Sequence, residues 1–404
     1  MFRNYLTVAV RNLLRHKSYS LINIAGLAIG MACCILILLF VQDELSYDRY
    51  HENAEQIHRL VSEIQVPGKI INATPTPAPM GPTLVNDYPE VIGAVRFCRD
   101  PRQSPLIRYG DKHFYEDRFF FADSTVFDVF TFPMTKGNPQ TALKEPHSIV
   151  ITEEMARKYF GDEDPMGKVL GVELGKMPTD FTVTGILRPI PYNSHFRFDC
   201  LVPIVNVDAL WGNTLNNWGN FSVYTYLLLP IDYPLDELEK QLPSFVNRHM
   251  PDEQMNMVFH LQPLPGIHLH SHLEYEIEPN SDVAYIYVFS AIALFILLIA
   301  CINFMNLATA RSSRRAKEVG IRKAVGAHRF QLIRQFLGES VFLSLIALVL
   351  AVALVELFLP AFNVLAGKKF VMDYNGNFPV LLGLLGIGLF VAFVSGSYPA
   401  FFLS

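Results

Sequence analysis

The sequence predicts an α-helical membrane protein with four transmembrane helices and a large α+β extracytoplasmic domain inserted between helices 1 and 2. Three observations predict this fold class. Four long runs carry few or no charges, about 240 residues separate the first two runs, and a strongly basic segment separates the second from the third. With 51% hydrophobic and 18% charged residues, the composition argues against an ordinary soluble globule.

Each of the four apolar runs is long enough to cross a bilayer. Residues 21–41 and 283–310 contain no charge, and the other two predicted transmembrane helices are residues 337–359 and 378–404. About 20 apolar residues in a helix, rising about 1.5 Å each, cross a hydrocarbon core of about 30 Å. We expect the third helix to be the shortest, because Glu339 and Glu356 bracket it.

The distribution of charge predicts the orientation in the membrane. Residues 311–334 contain eight Lys and Arg residues against one acid, and a short loop this basic lies on the cytoplasmic side. Residues 1–20 are also basic, which predicts a cytoplasmic N-terminus. Residues 42–282 then lie outside with 34 acidic against 19 basic residues, as does a short loop at residues 360–377. This asymmetry follows from membrane topology and gives no reason to expect nucleic-acid binding.

The N-terminal 20 residues predict an amphipathic helix on the cytoplasmic leaflet. Phe2, Leu6 and Leu13 recur at helical spacing, while Arg3 and Arg11 lie elsewhere around the helix. A simple extension of the first transmembrane helix is the alternative. A cleaved signal peptide is not expected, because the apolar run is too long and no small-residue cleavage site follows it.

The outer region mixes helical and strand patterns, which predicts an α+β domain. Residues 153–160 predict a helix, because acids occupy the first turn and Gly161 follows the last. Strands are predicted at residues 147–152, 181–187 and 222–229. Pro243 is expected to end a short helix at residues 235–242. The later part of residues 46–60 looks helical, and the proline-rich residues 73–82 predict an extended connector.

No motif for catalysis or for nucleotide binding is present. The nearest match to a phosphate-binding loop, Gly161 to Lys168, has one residue too many between its glycines, and Val169 replaces the required Ser or Thr. It also lies on the predicted outer side. We therefore expect a chain that is not an enzyme and binds no cofactor itself, with any nucleotide energy supplied by another chain.

Cysteines and histidines leave two further hypotheses. Cys98 and Cys200 share the outer region and could form a disulfide, although their spacing in the sequence cannot place them within bonding range. His268, His270 and His272 would share one face of a strand and could bind zinc. No fourth ligand is found at a reliable spacing, so packing is the favoured interpretation and no metal site is predicted.

Within the basic segment, Gly320 and Gly326 flank a stretch that could dock into a partner. Ile321 to Val325 contains two cations and three apolar residues, so it could place apolar side chains in a groove and cations on its rim. A solvated loop that merely obeys the positive-inside rule is equally compatible with the physics.

Motifs along the whole chain resemble those of MacB/FtsX-type ABC transporter permeases, in a Bacteroidetes-type branch. The stretch RAKEVGIRKAVGAHRFQLIRQFLGES resembles the cytoplasmic coupling segment of that family. SYDRYHENAEQIHRL, ITEEMARKYFGDEDPMGKVL and FTVTGILRPIPYNSHF resemble its periplasmic core domain. SGSYPAFFLS, at the end of the chain, resembles the end of a permease half.

The resemblance implies a cytoplasmic ABC ATPase as partner, which would hold ATP and magnesium. It would dock on the coupling segment, residues 311–336, around Glu318, Gly320, Ile321, Arg322, Lys323, Val325, Gly326 and Ala327. The family also implies a second permease unit, as a homodimer or a pseudo-dimer, in a bacterial inner membrane, and a periplasmic adaptor. Because the branch typically carries two units in one chain, a sequence that stops at Ser404 suggests a fragment or a split gene.

Three functions are compatible with these features. The leading one is a permease that exports or extracts peptide, drug or lipoprotein cargo. The second is an FtsX-like signalling scaffold that regulates a cell-wall hydrolase or an envelope-stress response, and the third is a sensor without an ATPase. Near the inner end of the third helix, Glu339 is expected either to pair with a base of the coupling segment or to reach water.

Overall fold

A computed structural model describes residues 17–100, 102–174, 177–250, 256–310, 329–372 and 378–403. The chain divides into two compact units. The extracytoplasmic unit is Ser46–Val283, and the membrane unit combines the residues before Ser46 with those after Val283.

Within the described residues of the membrane unit, four helices are long and apolar enough to cross a bilayer. They are α1 (Lys17–Leu45), α8 (Val283–Ala310), α9 (Arg329–Ala366) and α10 (Phe378–Leu403). Together with the α+β unit between the first and second, they confirm the predicted fold class. The predicted amphipathic helix at residues 1–20 falls outside the described residues, apart from its last four positions, which belong to α1.

The third apolar helix is the longest of the four, so the expectation that it is the shortest was wrong. Its membrane-compatible part is Leu337–Ala366, with 30 residues. Glu339 and Glu356 both lie inside this helix. Glutamate is a good helix former, so it does not interrupt the backbone hydrogen bonds of the helix. A carboxylate raises only the free energy of placing the helix in the bilayer.

The described helices of the membrane unit share one apolar core. In α8, Ala293, Leu297, Ala300, Cys301 and Phe304 form a buried stripe at helical spacing. A Cβ atom added to Gly30 would lie 2.6 Å from the Cβ of Ala300, so only glycine allows α1 to approach α8 this closely. The opposite side of α8 is exposed, with Tyr287 and Phe295 more than half accessible.

The extracytoplasmic unit is built on a mixed sheet of fourteen strands. They are β1 (Ile57–Val66), β2 (Lys69–Ala73), β3 (Thr76–Pro77), β4 (Gly93–Cys98), β5 (Leu106–Tyr109), β6 (Lys112–Tyr115), β7 (Phe119–Ala122), β8 (Met134–Gly137), β9 (Ser148–Thr152), β10 (Val169–Leu174), β11 (Met177–Leu187), β12 (Cys200–Pro203), β13 (Phe221–Leu228) and β14 (Asn256–Pro263). The main path runs β14-β1-β13-β4-β7-β12-β9-β11-β10-β5-β6, with β2, β3 and β8 at its sides. The pairs β9–β11 and β7–β12 are parallel.

Short helices cover this sheet and complete its apolar cores. They are α2 (Met80–Asp87), α3 (Val126–Val129), α4 (Glu153–Phe160), α5 (Asn206–Trp211), α6 (Leu235–His249) and α7 (Ile267–His270). Met155 and Tyr159 of α4 enter one core together with β9 and β12. Leu238 and Phe245 of α6 enter another core, which includes residues of β1, β13 and β14.

Three local predictions for this unit were wrong. Helix α6 continues through Pro243 to His249, because burial of Leu242 and Phe245 offsets the hydrogen bond that proline removes. The expected helix in residues 46–60 is a series of turns followed by β1, whose pairing with β13 and β14 fixes it as a strand. The expected connector at residues 73–82 contains β3 and the start of α2.

Candidate functional site

The predicted ATPase-docking residues lie outside the described part of the chain. They are Glu318, Gly320, Ile321, Arg322, Lys323, Val325, Gly326 and Ala327, all between α8 and α9 in sequence. Glu339 is described and is partly buried in α9, three residues into the range that can span a membrane. The basic residues of the segment before α9 that were considered as its partners, residues 311–328, are outside the description, so that pairing stays a prediction.

Two stretches of chain join the extracytoplasmic unit to the membrane helices. The incoming connection, residues 46–56, follows α1 directly, and the outgoing connection, residues 267–282, ends directly before α8. Both are fastened to the sheet by buried polar side chains. These contacts form the most extensive buried polar arrangement in the described part of the unit, and we take them as the candidate functional site.

Asp48 anchors the incoming connection through its carboxylate. Its oxygen accepts a hydrogen bond from the backbone N–H of His195 at 3.1 Å, and it lies 2.9 Å from the His195 Nδ1. Both side chains are 1% exposed. The other ring nitrogen, His195 Nε2, is 2.7 Å from the Tyr226 hydroxyl. Burial raises the pKa of Tyr226, so the hydroxyl keeps its proton, and His195 lies between the Asp48 carboxylate and the Tyr226 hydroxyl of strand β13.

Backbone contacts reinforce this anchor. The Asp48 N–H donates to the carbonyl of Asn193 at 2.8 Å, and the Asn193 amide donates to the carbonyl of Ser46 at 3.1 Å. The Tyr50 hydroxyl lies 2.7 Å from the Ser194 hydroxyl. The loop at residues 193–195 and the incoming connection therefore form a single hydrogen-bonded layer.

His51 fits into the same layer as a neutral acceptor. Its Nδ1 accepts a hydrogen bond from the Thr131 N–H at 3.1 Å, and its ring meets Phe130 and Phe132 edge-on. Burial lowers the pKa of His51 to about 4, because the apolar surroundings disfavour the imidazolium. The ring is thus uncharged at neutral pH.

Arg59 anchors the outgoing connection to strand β1. Its guanidinium is fully buried and donates to both carboxylate oxygens of Glu276, at 2.6 and 2.8 Å. The same group donates to Gln262 at 2.7 Å and to Ser271 at 2.9 Å. Burial alone would lower the pKa of Arg59, but the hydrogen bond and charge of the Glu276 carboxylate outweigh it, so the pKa is raised and the guanidinium stays charged. Removing one partner of such a pair costs about 3–5 kcal/mol.

The two anchors meet in the sheet. Arg59 of β1 and Tyr226 of β13 are directly opposite each other in the antiparallel register of these strands. One of these residues holds the outgoing connection through Glu276, and the other holds the incoming connection through His195. Both connections are therefore fastened to the same rung of the sheet.

A second contact joins the two connections outside the sheet. The rings of Tyr47 and His268 are stacked, with centroids 3.3 Å apart. Further along the outgoing connection, Tyr275 has a φ of 64°, which is unusual for a bulky side chain. Its carbonyl accepts hydrogen bonds from the Thr74 hydroxyl at 2.6 Å and the Tyr224 hydroxyl at 3.1 Å, which hold this conformation.

The histidines near the membrane do not share a strand, so that expectation was wrong. His268 and His270 belong to the short helix α7, where residues two apart point in different directions, and His272 follows it. No group of three or more His, Cys, Asp or Glu side chains suited to a metal ion occurs among the described residues.

Cys98 and Cys200 are free thiols, so the disulfide hypothesis was wrong. They lie on β4 and β12, and β7 runs between these strands. The Cys98 thiol donates to the Ser222 carbonyl at 3.2 Å, and burial raises its pKa to about 12. Both thiols are buried packing groups that stay protonated.

The arrangement fastens both connections to the sheet through buried polar groups. The side chains of Asp48, His195 and Tyr226 lie next to one another, and each is at most 1% exposed. Sequence reasoning did not single out Asp48, His195 or Tyr226. The charged and polar residues of SYDRYH and PYNSHF were the signal in the sequence that could have indicated these buried contacts.

A salt-bridge cluster closes the outer end of the membrane unit. The Lys368 ammonium contacts the carboxylates of Asp43, at 2.5 Å, and Glu44, and it lies 5.0 Å from the centre of the Phe40 ring. Asn363 braces the loop by exchanging two hydrogen bonds of 3.0 Å with the backbone of Phe370. This cluster, the Lys368 clasp, fixes the end of α1 to the loop after α9.

Comparison with known proteins agrees with this architecture. Residues 20–244 match the family model of the MacB-like periplasmic core domain, and residues 290–404 match that of the FtsX-like permease C-terminal domain. The chain belongs to the MacB/FtsX-like ABC transporter permeases. This membership confirms the family resemblance of the sequence motifs.

Individual relatives of this permease are distant. A macrolide export ATP-binding/permease protein, MacB, of Campylobacter jejuni strain 81-176 is 38% identical over 111 residues, which are 28% of this chain and 17% of that protein. The chain thus spans about a sixth of that relative's length. An uncharacterized ABC transporter permease of Bacillus subtilis strain 168, YvrN, is 23% identical over 98% of this chain and 96% of its own. A solved permease domain from Porphyromonas gingivalis is 21% identical, covers 59% of this chain and 98% of its own, and has a TM-score of 0.47.

Proposed function

We propose that this permease couples ATP hydrolysis by a separate cytoplasmic ATPase to movement of its extracytoplasmic domain. The observation that carries the proposal is the shared rung of Arg59 and Tyr226, to which both connections to the membrane helices are fastened. Rigid, buried polar contacts transmit displacement, whereas a flexible linker would absorb it. The family membership supports an ATPase as the source of the motion.

The coupling segment, residues 311–336, is the proposed docking site of the ATPase. Its eight cations favour the cytoplasmic side, where ATP and magnesium would be held by the partner rather than by this chain. In this arrangement the N-terminus is cytoplasmic, the unit Ser46–Val283 lies in the periplasm, and the membrane is the bacterial inner membrane.

The proposed assembly contains two permease units. The exposed side of α8, with Tyr287 and Phe295, is the apolar surface available to a second unit or to lipid. Cargo is proposed as peptide, drug or lipoprotein that is exported or extracted from the periplasmic side, with a periplasmic adaptor as a further partner. The Campylobacter relative is named as a macrolide export protein, and this name supports export as the function.

Charge reversal at the coupling segment tests the proposal. The Arg322→Glu, Lys323→Glu double variant should lose co-purification of the ATPase while still inserting into the membrane, because docking requires these cations against acidic groups of the partner. The matched control is Arg311→Glu, Arg314→Glu, which reverses two charges of the same stretch outside the predicted docking residues. ATPase recovery equal to that of the wild type with the first variant would refute the docking assignment.

A further inference from the structure

Among the described residues of the membrane unit, five polar side chains are buried between its apolar helices. Ser20 and Asn23 belong to α1, Ser340 and Ser344 to α9, and Ser395 to α10. Each residue is at most 6% exposed. We call this set the polar layer.

Asn23 and Ser344 lie at a similar depth in the unit. The Lys368 clasp holds the end of α1 against the loop that follows α9, so these two helices end at the same level. Asn23 precedes Leu45, the last residue of α1, by 22 positions, and Ser344 precedes Ala366, the last residue of α9, by the same number. With a common rise of about 1.5 Å per residue, the two side chains occupy the same level of adjacent helices.

Two of the serines are satisfied by hydrogen bonds that need no outside group. The Ser344 hydroxyl donates to the Gly388 carbonyl of α10 at 2.6 Å, and the Ser395 hydroxyl donates to the Val391 carbonyl of its own helix at 2.6 Å. Asn23 differs. Neither its Nδ2 nor its Oδ1 has a hydrogen-bond partner within the described residues, although the side chain is 97% buried.

An unsatisfied carboxamide is costly in this position. Away from water, a polar group without a hydrogen-bond partner is strongly disfavoured. The closely packed helices leave little room for such a partner to enter. A Cβ atom added to Gly396 would lie 2.8 Å from Ser340, which shows how closely α9 and α10 approach beside the polar layer. A leucine, which branches at the same carbon and has no polar atoms to satisfy, would suit the described arrangement better than asparagine does.

We propose that Asn23 is a positioning residue for the ATP-driven motion, with its hydrogen bonds made in a second state of the bundle. A small shift of α1 against α9 would bring the carboxamide to the hydroxyls of Ser340 and Ser344, each of which retains acceptor capacity. Asn23 then stabilises the shifted state and disfavours the described one. The inference rests on the proposed function, since it assigns this residue a part in the same coupling.

The Asn23→Leu variant separates this role from simple packing. Loss of the unsatisfied amide should raise the thermal unfolding midpoint of the full chain in lipid nanodiscs without nucleotide. The same variant should lower the ATP turnover of the assembled permease–ATPase complex by about 5- to 150-fold, the usual range of coupling between two states, while the ATPase still co-purifies. Asn23→Ala provides a second variant that cannot be overpacked.

The control is Ser395→Ala, which removes a buried hydroxyl of the same layer whose hydrogen bond is local to its helix. It should leave ATP turnover close to that of the wild type. A lower unfolding midpoint for both Asn23 variants, or unchanged turnover with either one, would overturn the inference. If the ATPase fails to co-purify with the wild type, the proposed function fails instead, and the unfolding midpoints still decide whether Asn23 is unsatisfied in the described state.

Discussion

At the scale of single residues, Asp48 combines an unusual backbone with a buried charge. Its φ of 58° lies in the left-handed region, which aspartate tolerates better than most side chains. That conformation turns the chain after α1 so that the carboxylate meets the backbone N–H of His195. Aspartate therefore fits this position for two reasons: it tolerates the positive φ, and its carboxylate accepts the hydrogen bond from His195.

Replacing Asp48 with Asn should destabilise the extracytoplasmic unit. Asparagine tolerates the same φ but loses the charge that faces the His195 ring, so the free energy of unfolding should fall by about 1–3 kcal/mol. Asp232→Asn is the matched control, because Asp232 has a φ of 57° and is exposed. Chemical unfolding of the full chain in nanodiscs measures both variants. Equal midpoints for the two would contradict the account.

His51 predicts a loss of stability in mild acid. Its pKa is about 4 in the folded unit against an ordinary 6.5, so between these values the unfolded chain binds more protons than the folded one. Stability is therefore lost as the pH falls from about 6.5 towards 4, by about 3 kcal/mol from this group. The His51→Gln variant keeps a side-chain acceptor for Thr131 and should flatten part of this dependence. The lowered pKa of His58 would account for pH dependence that remains in the His51→Gln variant.

His113 supplies the control for this pH series. It lies on β6, where every residue is exposed. His113→Gln should leave the pH dependence of the unfolding midpoint unchanged. If His51→Gln and the wild type showed parallel curves from pH 7 to pH 4, the role of His51 would be rejected.

At the scale of elements, the sequence predicted correctly those helices whose ends are set by neighbouring residues. Helix α4 runs over Glu153–Phe160 as predicted, because its acids, its Thr152 cap and the Gly161 stop all lie within ten residues. Helix α6 extends past Pro243 and strand β1 replaces an expected helix, since both depend on partners distant in sequence. In α6 and β1, burial of an apolar face against distant parts of the chain therefore outweighed the local propensity.

The Lys368 clasp is an element-level contact with a direct test. Lys368→Met should leave the Asp43 and Glu44 carboxylates without their shared cation, and Glu44 is 3% exposed. Breaking a buried pair in this way costs about 3–5 kcal/mol, so the thermal midpoint of the membrane unit should fall.

Lys240 is exposed on α6, and Lys240→Met serves as the control. It should change the midpoint little. Adding Glu44→Gln to Lys368→Met should recover part of the loss by removing one of the two carboxylate charges that the Lys368 ammonium contacts. A double variant no more stable than Lys368→Met would argue against charge as the cause.

At the scale of the whole molecule, membrane organisation was predictable and the candidate site was not. Charge-free runs report directly on transmembrane helices, so the fold class followed from composition. The site joins residues far apart in sequence: Arg59 and Glu276 are 217 positions apart, and Asp48 and His195 are 147 apart. Only the sheet register brings Arg59 opposite Tyr226, and no local pattern encodes it.

In the proposed function, a cytoplasmic ATPase moves the extracytoplasmic unit through two connections that are fastened to its sheet. The central requirement of this function is that the segment between α8 and α9 and the unit Ser46–Val283 lie on opposite sides of the membrane. Single cysteines introduced on each side report this directly, once the five native cysteines are replaced.

Accessibility to a membrane-impermeant thiol reagent is the decisive measurement. Ser124→Cys, at an exposed position of the extracytoplasmic unit, should be labelled in intact spheroplasts. Ser312→Cys, in the basic segment, should be labelled only after the membrane is permeabilised. Labelling of Ser312→Cys in intact spheroplasts, with Ser124→Cys protected, would contradict the account.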